Sequence, residues 1–337
     1  MGTNQDNMQM FTHKLPAWLP GTIFVFLIAL AGKAFGNLFP AIGGVIFALL
    51  LGIILRNSFK LNERFLPGIQ FVVQKMLKVA IVLLGATLSI GSILDIGSQS
   101  ILVILLVVTG GILVTLLAGK ILKIDKMLSL LIGVGTSICG ATAISVVKGV
   151  IQSKETVTAY AISTIFFFNI LATLLYPWIG QWLDLTVLQF GIWIGTSIHD
   201  TSSVVAVGYL VGEDVGEVAT TVKLVRTLFI LPLVLAISFI IVNKSDESAS
   251  IKGAFPLFII GFLVMSTLYS VGVVSQGVSA WLGSVAKFLI IMVMAGVGLQ
   301  VEWKKFRALG LKPFIAGFIA SVFVATLSLI YVLNMID

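Results

Sequence analysis

Ile192-Trp193-Ile194-Gly195-Thr196-Ser197-Ile198-His199-Asp200-Thr201-Ser202-Ser203 sets a histidine, an aspartate and a run of hydroxyls inside an otherwise apolar segment. Hydrocarbon penalises each of these groups unless the protein gives it a partner or a task. A second stretch echoes this one. Set 60 residues apart, Gly135-Thr136-Ser137-Ile138 and Gly195-Thr196-Ser197-Ile198 are identical, and the match continues through Cys139/His199, Gly140/Asp200, Thr142/Ser202 and Ile144/Val204.

The surroundings of both copies are those of a membrane protein. Of the 337 residues 58% are hydrophobic and 10% charged, and the mean hydropathy is +1.14. A soluble fold of this length cannot bury that much apolar surface. The runs are about 20 residues long, which selects an all-helical bundle over a barrel of strands about 10 residues long. The single cysteine, Cys139, excludes an internal disulfide, and no Cys/His cluster has metal-ligand spacing. Lys14 precedes an apolar run from Leu19 to Ala31 that reads as a first transmembrane helix rather than a cleaved signal. The net charge of +7 serves topology and does not point to nucleic acid.

Eleven apolar runs are expected, at 18–36, 40–55, 68–94, 99–119, 127–151, 156–178, 187–211, 218–242, 254–273, 278–300 and 313–334. Runs 127–151 and 187–211 are interrupted near the middle by Gly, Ser and Thr. If these two are re-entrant hairpins, the other nine span and the N-terminus is cytoplasmic, then Lys14, Arg56, Lys60, Arg64, Lys75, Lys78, Lys120, Lys123, Lys126, Lys148, Lys154, Lys244, Lys252, Lys304, Lys305, Arg307 and Lys312 lie inside. That is 17 of the 21 basic residues, the asymmetry that cytoplasmic loops carry. Asp95, Asp184, Glu213, Asp214 and Glu217 then fall in outside loops. Broken helices that cross the whole membrane remain the alternative. Residues 1–17 read as a cytoplasmic tail and 18–337 as one transmembrane domain.

Paired broken or re-entrant segments mark a transporter's binding site. A helix that begins in mid-membrane offers free N–H groups and a positive dipole end, a setting for a small oxyanion or carboxylate. The candidate substrate-binding residues are therefore Ser137, Cys139, Gly140, Ala141 and Thr142 in the first copy. In the second they are Ser197, Thr201, Ser202 and Ser203. Lys223 and Arg226, one turn apart, either balance the bound anion, neutralise Asp200, or reach toward Glu213 and Glu217. An unperturbed histidine titrates near pH 6.5 and an aspartate at this depth suits Na+ or H+, so His199 and Asp200 are candidates for coupling or gating, with Asn169 as a further buried polar group. Adjacent residues share no helical face, so His199 and Asp200 do not form a catalytic dyad, and the chain does not read as an enzyme. Small glycines that merely let helices pack closely are the structural alternative for Gly133, Gly135 and Gly140.

Leu131 to Ile144, Gly195 to Ser202, and Lys223-Leu224-Val225-Arg226 resemble the YeiH-like sulfate exporter family, catalogued as UPF0324 conserved hypothetical membrane proteins. The likeness extends to Ala80-Ile81-Val82-Leu83-Leu84-Gly85 and Gly310-Leu311-Lys312-Pro313. Where that family often has glutamine after Asp-Thr-Ser, this chain has Ser203. The resemblance implies inverted repeats, elevator-like movement of a site-bearing domain, and export of sulfate or a related sulfur oxyanion or sulfonate.

The expectation is thus a secondary transporter in the inner membrane, since no G-x-x-x-x-G-K loop for ATP is present. Its expected partners are a small anionic substrate, membrane lipid and a second copy in a homodimer. No cofactor is expected beyond a coupling ion, Na+ or H+. The competing reading is a Na+/H+-type antiporter with Asp200 as the ion ligand.

Overall fold

A computed structural model describes residues 16–40, 42–242, 256–304 and 310–336, with side chains for all of these except 240–242. Lys14, Lys244, Lys252, Lys305 and Arg307, and the 1–17 tail up to Leu15, lie outside the described residues. Among the described residues every regular element is helical. We number them α1 (Leu19–Leu38), α2 (Gly43–Ser58), α3 (Glu63–Thr87), α4 (Ile90–Ile121), α5 (Lys126–Ser137), α6 (Ala141–Ile151) and α7 (Glu155–Trp182). There follow α8 (Val187–Ser197), α9 (Thr201–Val211), α10 (Glu213–Leu228), α11 (Ile230–Val242), α12 (Leu257–Ser270), α13 (Gln276–Leu299) and α14 (Leu311–Met335).

Seven helical stretches are long and apolar enough to cross a membrane: α1, α3, α4, α7, the α10–α11 stretch, α13 and α14. The chain is a multi-pass membrane protein. α2 and α12, with 16 and 14 residues, are shorter apolar helices. The limbs α6, α8 and α9 have 11 residues each, about 17 Å at 1.5 Å per residue, or half of a hydrocarbon core about 30 Å thick.

Local chemistry sets the ends, and two expected boundaries move. The break placed at 95–98 falls instead at Leu88–Ser89, where both residues are extended and the Ser89 hydroxyl accepts from Ser92 N at 3.1 Å. Asp95 is therefore inside α4. Helix α10 starts directly after Gly212, so Glu213, Asp214 and Glu217 occupy its first two turns and not a loop. Lys75 and Lys78 lie within α3, Lys75 in a π-helical turn at Val72–Met76 and Lys78 just after it.

Each interrupted run folds back on itself. Along α10, Val218 faces Gly191 and Val222 faces Gly195, so α8 and α10 run parallel. Gly216 faces Gly208, so α9 and α10 run antiparallel. Limbs α8 and α9 are consequently antiparallel, and Val187, Phe190, Val211 and Gly212 line one cavity of about 340 Å³. In the first copy, Gly135 of α5 lies against Ile144 of α6 and Ile165 of α7. Both segments are hairpins in shape.

The apolar interior has two parts. One gathers α4 to α11 and α14, joined by Ile81 of α3 and by Ile259 and Phe262 of α12. The other gathers α1, α2, α3 and α13, joined by Ile170 of α7 and by Val205 and Ala206 of α9. Within the second part, glycines bring backbones together: a Cβ on Gly298 of α13 would stand 2.3 Å from Leu49 O of α2.

Candidate functional site

The breaks in the two hairpins fall at matching places, Ile138–Gly140 and Ile198–Asp200. Gly140 has φ +62° and ψ −131°, a conformation open to glycine and costly for a residue with a Cβ. It also lets the tips approach, since a Cβ built there lies 3.5 Å from His199 O and 3.7 Å from Asp200 Cα.

Ending α5 and α8 in the middle of the protein leaves carbonyls without intrahelical partners, at the negative ends of two helix dipoles. Lys223 and Arg226, three residues apart on one face of α10, meet them. Lys223 Nζ donates to Ile138 O at 2.8 Å, Ile198 O at 2.8 Å and His199 O at 2.7 Å. An ammonium has three hydrogens, so its capacity is used. Arg226 donates from Nε to Ser137 O at 2.7 Å, from NH1 to Ile198 O at 3.1 Å and Gly195 O at 3.4 Å, and from NH2 to Thr136 O. Both side chains are fully buried, and among the described residues neither forms a salt bridge with a carboxylate, Asp200, Glu213 and Glu217 included. The cations instead tie the two tips together through backbone. Composition offered no sign of this, because a carbonyl acceptor is present at every residue.

The N-terminal ends differ. Asp200 caps α9: its Oδ2 accepts from Ser202 N at 2.9 Å and also from the Ser202 hydroxyl. Asn169 of α7 braces this tip, accepting from Asp200 N at 2.9 Å and donating to Ser203 Oγ at 2.7 Å. Thr201, Ser202 and Ser203 are all buried. Helix α6 begins at Ala141 after Gly140, which has no side chain to cap it, and the neutral thiol of Cys139 lies against the Ala143 N–H. Ala141 and Thr142 are exposed, as is Ser145 one turn on, whose Oγ donates to Ala141 O at 2.8 Å.

Ser137, Cys139 and Ser197 are buried on the inner side of the tips. The Ser137 hydroxyl points at Gly111 of α4, and neither it nor the Ser197 hydroxyl has a hydrogen-bond partner. His199 Nε2 is 2.9 Å from Ser321 Oγ of α14, while Nδ1 is buried without a partner. Thr196 bonds Ser328 of the same helix, and Trp193 Nε1 donates to Ala325 O at 3.0 Å. Sequence reasoning passed over Ser321 and Ser328. Their seven-residue separation on an apolar helix, in one stripe with Gly317 and Val324, was the available signal. The structure thus brings the second hairpin's residues, Asn169, Lys223 and Arg226 into one network, and leaves Ala141 and Thr142 as the candidates facing open space.

Comparison with known proteins places this arrangement among relatives. Residues 20–317 match the family described as Conserved hypothetical protein 698. A UPF0324 membrane protein of Clostridium tetani is 35% identical over 91% of this chain and 94% of its own. One of Streptococcus pyogenes serotype M6 is 38% identical over 92% and 95%, and one of Fusobacterium nucleatum 35% over 89% and 93%. With a match that runs through both hairpins and the α10 cations to the start of α14, the chain belongs to the UPF0324 family of membrane proteins.

Proposed function

We propose that this protein is a secondary transporter of a small anion, taken up at the N-terminus of α6. One observation carries the reading. Two half-helices begin at the crossing of the hairpins, and α9 is met by its own carboxylate, Asp200, whereas α6 follows Gly140, has no charged side chain at its start, and exposes Ala141 and Thr142. An accessible helix N-terminus is suited to an oxyanion. Sulfate or a related sulfur oxyanion or sulfonate is the substrate class, by likeness to the family named above, and export is the direction.

In this reading the two hairpins form inverted repeats, entering from opposite faces because α7, 28 residues long, carries the chain across between them. The part built on α4 to α11 and α14 moves against a scaffold of α1, α2, α3 and α13 in elevator fashion. The sealed state of α9, packed against α2 and α13, and the open face of α6 support this, as does the division of the interior into two parts. The N-terminus lies in the cytoplasm, the membrane is the inner one, and the working form is a homodimer.

A thermal-shift panel of sulfate, sulfite, sulfonates and carboxylates on the purified protein tests the site, with Thr142→Asp as the informative variant. A carboxylate placed on the first turn of α6 fills the anion's position, so the variant folds as well as wild type and loses the anion-dependent shift. An unchanged shift removes α6 from the site. A second reading draws on Asp200, which is partly exposed and makes its hydrogen bonds through Oδ2 alone. Under it the protein exchanges Na+ for H+ without any anion, and Asp200→Asn abolishes that exchange in proteoliposomes.

A further inference from the structure

The most polar of these helices, α10, carries a carboxylate that the hairpin tips do not use. Glu217 lies on its second turn, partly buried, within a stretch long and apolar enough to cross the membrane. Three other elements surround it. Tyr209 of α9 lies over α10 at Gly216, where a Cβ would stand 2.5 Å from its ring. Thr87, at the end of α3, sets its hydroxyl against both the Glu217 carboxyl and the Tyr209 phenol, and Gly283 of α13 packs on the Thr87 methyl. The charged and titratable groups facing Glu217 are Glu213 and Asp214 on its own helix, Lys287 of α13 and Tyr209. Lys287 is taken by a salt bridge to Glu213, so Glu217 has no cation of its own.

Thr87 Oγ1 has one hydrogen, which goes either to Leu84 O at 2.9 Å or to Glu217, so an ionised carboxylate is served only at the expense of that carbonyl. A protonated carboxyl brings its own O–H, which the Thr87 oxygen accepts while its hydrogen stays on Leu84 O. Tyr209 Oη, buried beside Thr87, is a further group that can donate to the carboxyl. Ionisable groups held in a membrane domain away from a counter-ion are the usual carriers of coupled protons.

We infer that Glu217 is a proton-binding site, carrying its proton between α10, Tyr209 and Thr87, and exchanging it through the cavity where the second hairpin opens. Asp184, Glu213 and Asp214 line that cavity, and Glu213 and Asp214 stand one turn before Glu217. The step is binding alone: the carboxylate takes one proton and becomes neutral. Its use in coupling rests on the transporter reading given above. Because Thr87 and Lys287 come from the scaffold helices and Glu217 from the moving part, protonation changes the charge at the surface along which the two slide.

Infrared titration of the purified protein from acid to alkaline pH tests the site without any substrate. Wild type is expected to keep the C=O stretch of a protonated carboxylic acid at a pH where carboxylates free in water have ionised. That band is lost in Glu217→Gln and kept in Asp200→Asn. Thr87→Val removes the acceptor and shifts the band's frequency, which decides the question even if Glu217→Gln does not fold. No such band in wild type, a band untouched in Glu217→Gln, one lost in Asp200→Asn, or one unmoved in Thr87→Val overturns the inference. Proteoliposomes given a sulfate gradient and an internal pH dye then test coupling. Proton movement that follows sulfate and disappears in Glu217→Gln supports it, and sulfate flux with no proton movement overturns it. A Glu217 band in a protein that moves no sulfate sinks the anion reading and leaves the proton site standing.

Discussion

The two hairpins share a sequence signature, a break at the same place and a common clamp, yet their second limbs meet opposite surroundings. Residues 201–208 of α9 are buried without exception. On α6 the matching face, Ala141, Thr142, Ser145 and Gly149, is exposed. Helix α9 packs against α2, α7, α10 and α13, whereas α6 rests on α5, α7 and α11. Their caps differ in the same sense, Asp200 against Gly140. Segments that share a break signature thus reach different surroundings, because α2 and α13 pack on one limb and not on the other. In the proposed transporter that inequality is what alternating access would use.

Removing the common clamp is expected to have the largest effect. Arg226→Met leaves the carbonyls of Thr136, Ser137 and Gly195 buried without that donor. Losing charged hydrogen bonds worth about 1.5–3 kcal/mol each should cost at least about 3 kcal/mol in thermal unfolding. A variant as stable as wild type would mean that the tips hold together without it. Asn169→Ala unbalances the pair, because it strips Asp200 N and Ser203 Oγ of partners on the second tip only. A loss of about 1–3 kcal/mol is expected in the same measurement.

Gly140→Ala addresses the first tip alone and should cost about 1–3 kcal/mol through its backbone conformation. Gly149→Ala, on the same limb with open space around it, should raise stability by about 0.5–1 kcal/mol. If the two glycines behave alike, the special conformation at the tip is not what holds it. The smallest energetic effect belongs to cysteine probes in a Cys139→Ala background. Thr142→Cys and Ser145→Cys should react with a maleimide while Ser202→Cys and Val205→Cys stay unmodified. Equal labelling would erase the contrast between the limbs.

The helical content and the two interrupted runs were legible because hydropathy over about 20 residues is a local property of the chain. The duplicated Gly-Thr-Ser-Ile placed the breaks at Ile138–Gly140 and Ile198–Asp200 for a similar reason, since small residues and a positive-φ glycine act through their own backbone. Legibility failed where partners come from far along the chain. In the sequence Lys223 reads as a charge in search of another charge, but the tips supply carbonyls, which leave no mark in a sequence. Asp95 and Glu213 read as loop residues because charge usually marks a loop. Helix α4 instead continues past Asp95 on its exposed side, and α10 accepts acids in its first turn, where the dipole favours them. Ser321 and Ser328 drew no notice, since lone serines in an apolar helix acquire meaning only from what faces them.

By itself, then, the sequence determined a multi-pass helical membrane protein with two matched interruptions, because apolar length and backbone preference are read residue by residue. Only the tertiary structure decided that the interruptions are hairpins whose tips meet, that the α10 cations clamp their carbonyl ends, and that one limb is sealed while the other is open. Each of these depends on which surfaces face one another across 20 to 130 residues of chain, and the pairing of surfaces is settled when the whole bundle packs.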